Sequence, residues 1–311
     1  MLISWQEFLR GKRKRKDVAK FQLHLMDNIF TLHFELKNKI YKHSDYQAFK
    51  INDPKPRDIH KASVRDRLVH HAIYRILYQF FDKLFIYDSY SCRVNKGTHR
   101  AINRFKEFGL KFSNNNNKTC WILKCDIKKF FASIDHIILK NILAKYIVDK
   151  DALWLLAQII DSFSSKHKIK IGLPLGNLTS QLFVNIYMNE FDQFMKRKIK
   201  TKYYIRYADD FIIINKDKNY LQNLLPKISN FLKKRLKLSL HPNKLFIKTL
   251  NSGVDFLGWV NFTNYRILRT STKRRMLRNL EHKSTPQAIE SYSGLLSHGN
   301  AYRLSLKIRK Q

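Results

Sequence analysis

The chain has 311 residues, 44% of them hydrophobic, and carries 60 Lys and Arg against 24 Asp and Glu, a formal net charge of +36. That much apolar side chain can fill the core of one large domain or of two to three smaller ones, which excludes disorder of the whole chain. A positive excess of this size makes a compact fold repel itself unless a polyanion neutralises it, so nucleic acid is the expected partner. A generic lysine-rich surface is the alternative. Cys92, Cys120 and Cys125 lack metal-ligand spacing, and their odd number argues against a disulfide framework. The opening "MLISWQEFLRGKRKRK" has no apolar signal core, and no segment reaches the roughly 18 apolar residues of a membrane span. A cytoplasmic protein without a membrane partner is expected.

In chain order, the basic run "KRKRK" at 12–16 is either a solvated face or a nucleic-acid contact. A helical-looking segment follows to about residue 40. The proline-marked stretch "INDPKPRDIHK" reads as extended, and Val69, Ile73, Ile76 and Leu77 then recur at helical spacing. "FSNNNNK" at 112–118 is a polar loop. "CWILKCDI" is a short apolar strand. "SIDHIILKNILAKYI" is a helix with Ser133 or Asp135 as its N-cap. "DALWLLAQIIDSF" is another helix, "IKIGLPLGNLTS" a turn, and "QLFVNIYMNEFDQFMKRKI" a long helix. "YYIRYADDFIIIN" is a hairpin, "LQNLLPKISNFLKKRLKLSL" mostly an amphipathic helix, and "GVDFLGWVNF" strand-like. The basic tail from about 270 is helical. This irregular mixture predicts an α+β fold with a small, partly antiparallel sheet.

The hairpin poses the chemical question. "YIRY" and "FIII" are rich in β-branched and aromatic residues, so both predict strands, with Ala208, Asp209 and Asp210 at the turn. Aspartate is an ordinary turn residue. Here, however, the flanking runs are apolar enough to be buried, and Asp126 also ends an apolar strand. If the strands lie side by side, Asp126 and Asp209 converge. Converging carboxylates are costly unless a cation sits between them. Hard oxygen ligands suit magnesium, which completes its shell with water and phosphate oxygens. Two such ions about 4 Å apart form a clamp for in-line phosphoryl transfer.

These residues resemble a family. "YADD" is similar to the Tyr-x-Asp-Asp box of reverse transcriptases. "DIKKFFASIDH" resembles their first palm aspartate motif, and "GLPLGNLTSQLFVNIYMNEFDQF" the loop and helix between the two. In the same order, "KPRDIHKASVRDRLVHHAIYRIL" resembles the fingers segment and "SYSCRVNKGTHRAI" the next block. "LHPNKLFI" resembles the lysine motif after the active site and "DFLGW" the primer-grip hairpin. One Asp-Asp box is weak; seven ordered blocks over about residues 50–262 are strong.

The resemblance implies a right-hand polymerase fold, with fingers at 1–120 (including some palm elements), palm at 121–262 and a short helical thumb at 263–311. It implies an RNA-directed DNA polymerase using two Mg2+ ions, with Mn2+ able to substitute. Asp126, Asp209, Asp210 and the Ile127 backbone would form the metal site, with Asp126 and Asp209 ligating the ions and Asp210 supporting them. Phe131 matches the steric gate against a ribose 2′-OH. Arg57 and Arg65 lie where cations would hold the dNTP triphosphate, although Lys61 and Arg67 stand in the same block. Lys244 matches a lysine proposed to protonate the pyrophosphate leaving group.

One departure is informative. Most reverse transcriptases read Gln-Gly and then Ser-Pro in the central loop, whereas this chain has Leu175-Gly176 and then Ser180-Gln181. "LGNLTSQ" is similar to reverse transcriptases of diversity-generating retroelements, which copy a template RNA with errors at adenines. That resemblance implies template RNA, an RNA–DNA hybrid and a small basic helical accessory protein as partners. A retron-like, group II intron-like or antiphage-defence reverse transcriptase is the enzyme alternative. A non-catalytic RNA-binding protein on a polymerase scaffold is the other.

Overall fold

The structure is a computed structural model that describes residues 1–52, 56–165, 169–282 and 284–309. Asp53, Pro54 and Lys55 of the proline-marked segment lie outside the described residues. In chain order the elements are α1 (Leu2–Leu9), α2 (Lys16–Leu23), α3 (Leu25–Lys37), β1 (Gln47–Ile51), β2 (Arg57–Lys61), α4 (Val64–Phe81) and α5 (Thr98–Phe112). Then come β3 (Trp121–Asp126), α6 (His136–Ala144), α7 (Lys150–Asp161), α8 (Leu178–Gln193), β4 (Tyr204–Tyr207), β5 (Asp210–Asn215) and α9 (Lys218–Leu236). The chain ends with β6 (Phe246–Thr249), β7 (Val254–Phe256), β8 (Trp259–Asn261), β9 (Arg266–Leu268), α10 (Thr270–His282), α11 (Pro286–Leu296) and α12 (Tyr302–Arg309). The expected α+β mixture is what forms. No described helix is long and apolar enough to cross a membrane.

The chain divides into two compact units that interleave in sequence. One comprises 1–86, 127–198 and 229–239; the other comprises 87–126, 199–228 and 240–311.

The first unit is mainly helical. Its α4 packs on α1 and on α8, and α6 packs on α7 and α8. Trp5 and Phe8 of α1 and Leu68 and Val69 of α4 are buried. Each start has a local cause. Ser63 caps α4 by accepting from the Asp66 N–H, and Asp149 caps α7 through the N–H groups of Asp151 and Ala152. Of the two candidate caps for α6, Asp135 is the one used, accepting from Ile138 N–H. β1 and β2 form an antiparallel hairpin running from Gln47↔Lys61 to Ile51↔Arg57.

The second unit is built on an antiparallel four-stranded sheet in the order β4-β5-β3-β6. The apolar strands "WILKCD" and "DFIIIN" are its two central members, so both faces of each are covered. Ile122, Leu123, Phe211, Ile212 and Ile213 are all buried. Ile122, Ile212 and Ile214 join one core with Ala101, Ile102 and Phe105 of α5, and with Phe256 and Trp259 of the second sheet. That sheet runs β7-β8-β9. Its first hairpin turns at Leu257 and Gly258, both at positive φ (51° and 88°), the geometry of a two-residue hairpin loop. α10 closes the core with Met276 and Leu280.

Candidate active site at the end of the four-stranded sheet

Backbone register brings the carboxylates together. β3 and β5 are antiparallel, and the pairing Trp121↔Asn215 runs on to Asp126↔Asp210. Two aspartates therefore face each other directly, at the last paired position of the two central strands. The expectation placed Asp210 in the turn and aimed Asp209 at Asp126. Instead Asp210 opens β5 as the cross-strand partner, and Asp209, half-buried, occupies the turn beside it.

That turn is tight and braced. Ala208 adopts φ 53°, a left-handed conformation that costs a non-glycine residue about 1 kcal/mol. Arg206 holds it in place. This fully buried side chain donates from Nη1 to the Ala208 carbonyl at 3.1 Å and from Nη2 to Ser89 Oγ at 3.1 Å. The Arg206 backbone is in turn bonded to Asp88 and Tyr90.

Two lysines meet the carboxylates. Lys244 Nζ lies 2.8 and 2.9 Å from the two oxygens of Asp126. The motif "HPNK" explains its position. His241 N–H donates to the Asp126 carbonyl at 2.7 Å, and a one-turn 3-10 helix over Pro242–Lys244 follows, with the His241 ring accepting from Asn243 N–H. Lys124 Nζ stands 3.1 Å from Asp210 Oδ1. This second contact is an ion pair, and Asp210 Oδ1 is a buried oxygen with no geometric hydrogen-bond partner among the described residues.

Burial is the main cause that pushes the Asp210 carboxyl up, to about 7. Lys124 opposes the rise, and the neighbouring charges of Asp209 and Asp126 add to it. Burial also pushes the Cys125 thiol upward, leaving it an inert core group.

The sign of the consequence follows. An unfolded Asp210 releases its proton near 3.8, whereas the folded one keeps it until about 7. Between those values the native state binds more protons, so stability falls as pH rises through the window. Metal-free protein should lose at most about 4 kcal/mol from this group between pH 4 and 7. Asp210→Asn should flatten that segment of the curve. Urea unfolding of both proteins at closely spaced pH values reads it directly, and parallel curves would remove Asp210 as the cause.

The residues suit a hard divalent cation. Asp126 and Asp210 are opposed carboxylates with one orphaned buried oxygen, and Asp209 adds a third acid at the turn. With ammonium groups on Asp126 and Asp210, no cluster of three acidic, His or Cys side chains is gathered for an ion among the described residues. A cation at Asp126 would exchange with the Lys244 ammonium.

The other expected site residues belong to the first unit. Leu175 and Gly176 are pinned to β2: His60 N–H donates to the Leu175 carbonyl at 3.0 Å, and Asn177 Nδ2 to the His60 carbonyl at 2.8 Å. Gly176 has φ 102°, and a Cβ there would lie 2.8 Å from Ile59 Cγ2, so only glycine fits. Phe131 is half-buried in a short 3-10 turn, edge-on to Phe130 at 5.7 Å. Its carbonyl accepts from Leu173 N–H at 2.8 Å, which ties this turn to the same loop. Ile127 is buried, directly after Asp126.

Among the cations of the fingers block, Arg57 is exposed on β2. Arg65 is engaged with Glu35 and Asp66 and stacks over Tyr41 at 4.7 Å. Lys61 and Arg67 both pair with Asp17, at 2.7 and 2.6 Å. A triphosphate reaching Arg65, Lys61 or Arg67 would have to compete with carboxylates already in place. Lys124 and Arg206 are the site residues that the sequence reading did not single out.

The COX1/OXI3 intron 2 protein of Saccharomyces cerevisiae is 23% identical, over 88% of this chain and 39% of its own length. The group II intron-encoded protein LtrA of Lactococcus lactis subsp. cremoris is 24% identical, over 73% of this chain and 47% of its own. The chain thus spans less than half the length of these two relatives. In fold it is similar to the apo telomerase of Candida tropicalis, with a TM-score of 0.55 at 17% identity over 76% of this chain and 50% of that one. The sequence profile described as reverse transcriptase (RNA-dependent DNA polymerase) matches residues 42–260, and the chain belongs to that family.

Proposed function

We propose that the chain is an RNA-directed DNA polymerase that joins a primer 3′-hydroxyl to the α-phosphorus of a dNTP and releases pyrophosphate. The observation that carries this reading is the Asp126–Asp210 register pair, with Asp209 beside it, in a chain of this family. Asp126, Asp209 and the Ile127 carbonyl would hold divalent ions, with Mg2+ the expected metal and Mn2+ a substitute. Bound there, the ions would supply charge neutralisation at the phosphates and activation of the hydroxyl.

The protein's own groups would do the rest. Phe131 would exclude a ribose 2′-OH from the dNTP site. Arg57 would meet the triphosphate, and Arg65 would do so after release from Glu35. Lys244, half-exposed, would leave Asp126 as the site fills and stand near the leaving pyrophosphate. Residues 1–120, 121–262 and 263–311 would serve as fingers, palm and thumb. Template RNA and the RNA–DNA hybrid would be bound through backbone and helical shape.

Two finer readings differ in what the enzyme copies and how faithfully. Leu175, with Ser180-Gln181, favours a diversity-generating retroelement, cytoplasmic and working with a small basic accessory protein. The intron-encoded relatives favour a group II intron-type enzyme. Sequencing cDNA made on a defined RNA template separates them. In the first case errors concentrate opposite template adenines, and in the second they do not.

Leu175→Gln tests the cause. An apolar wall separates similar base shapes by only about 1–3 kcal/mol, so restoring an amide should reduce misincorporation opposite adenine by roughly tenfold. An error spectrum equal to wild type would sink Leu175 as the source.

A further inference from the structure

Lys124 is unusual for its position. It sits in the middle of a central strand and is only 7% exposed. On its face of the sheet Ile122 precedes it by two residues, and Ile212 and Phe246 are its cross-strand partners. Among the described residues of β3 and β5, the acidic groups on that face are Asp126, two residues on, and Asp210, diagonally across. The ammonium goes to Asp210, at 3.1 Å.

Lys244 makes the contrast. Its side chain is 40% exposed, so it can swing off Asp126 into water. Lys124, with a side chain 8% exposed, has no such exit. Leaving Asp210 would strand a buried charge without a partner. The two lysines therefore differ in kind: one is a removable cover and the other a fixed charge.

We propose that Lys124 is a positioning residue, a permanent internal counter-cation that engages Asp210 and weakens divalent-ion binding at the site. It holds Asp210, while Asp126 and Asp209 are the carboxylates that the polymerase reading assigns to metal. The residue also explains how three acids can share one sheet end before any ion arrives. This assignment rests on the polymerase reading, because it concerns ions that reading requires.

The test is Mn2+ binding, followed by electron paramagnetic resonance of free Mn2+, in wild type, Lys124→Met, Lys124→Arg and Asp209→Asn. Methionine keeps the length and removes the charge. Removing one elementary charge a few ångströms from the ion should tighten Mn2+ at least about tenfold. Lys124→Arg, which keeps the charge, should stay within about threefold of wild type. If Lys124→Met does not fold, Lys124→Gln gives the same comparison.

Mn2+ affinity in the charge-removed variant that is equal to or weaker than wild type overturns the assignment. Provided binding still depends on Asp209, that outcome leaves the polymerase reading standing. Wild-type binding that is absent or indifferent to Asp209→Asn overturns the metal site itself and the role of Lys124 with it.

Discussion

Asp209→Asn is expected to lower primer extension on an RNA template by about a thousandfold or more, with RNA binding and folding retained. An amide keeps the shape of the turn beside Ala208 but withdraws a charged oxygen ligand. Charge stabilisation of that kind is worth several kcal/mol at the transition state, and about 4 kcal/mol is a thousandfold in rate.

The variant should fold because Asp209 is only half-buried and the turn is held by other groups: Arg206 on the Ala208 carbonyl and the β4–β5 pairing from Tyr204↔Ile213 to Tyr207↔Asp210. Single-turnover extension in Mg2+, with circular dichroism and RNA binding as controls, reads the effect. Extension unchanged by the substitution would remove the two-metal assignment. Loss of all extension in wild type as well, with RNA still bound, would favour a non-catalytic RNA-binding scaffold.

What could be read in advance at this site, and what could not, has a physical division. The strands were legible because buried central strands are continuous β-branched and aromatic runs, as in "YIRY" and "FIII". Asp126 stood out because it ends such a run. The pairing of Asp126 with Asp210 was not legible, because register depends on which residue closes the turn. A one-residue difference exchanges Asp209 for Asp210.

Lys124 and Arg206 were invisible for another reason. Among 60 lysines and arginines, a cation in a strand carries no label for burial. Only the packed sheet shows that these two are inside it. The same crowding left Arg57, Lys61, Arg65 and Arg67 indistinguishable in sequence. In the structure, Asp17, Glu35 and Asp66 take up the last three and Arg57 stands exposed.

The same excess of charge governs the second large expectation. With a formal net charge of +36, RNA binding should be mainly electrostatic, and its affinity should fall steeply with salt. A protein that neutralises six to ten phosphates loses about a thousandfold or more between 50 and 200 mM salt.

Helix α10 offers one candidate surface. α10 turns Met276 and Leu280 into the core of its unit and leaves Lys273, Arg274 and Arg278 exposed. Arg274 and Arg278 are four residues apart and so lie along one face of the helix, where two phosphates of a strand can be met in succession. α12 repeats the arrangement: Ile308 is buried while Arg303 and Lys307 are exposed.

If α10 is a backbone rail, Arg274→Ala with Arg278→Ala should weaken binding about equally for unrelated RNA sequences. It should also reduce the slope of log affinity against log salt by about 1.4, the value for two phosphates of a single strand. Fluorescence anisotropy at four salt concentrations measures both slopes. An unchanged slope would mean that these arginines are solvated and that the polyanion lies elsewhere. A slope that changes for one sequence only would mean that they read bases, which exposed cations on a helix face are poorly placed to do without a groove to enter.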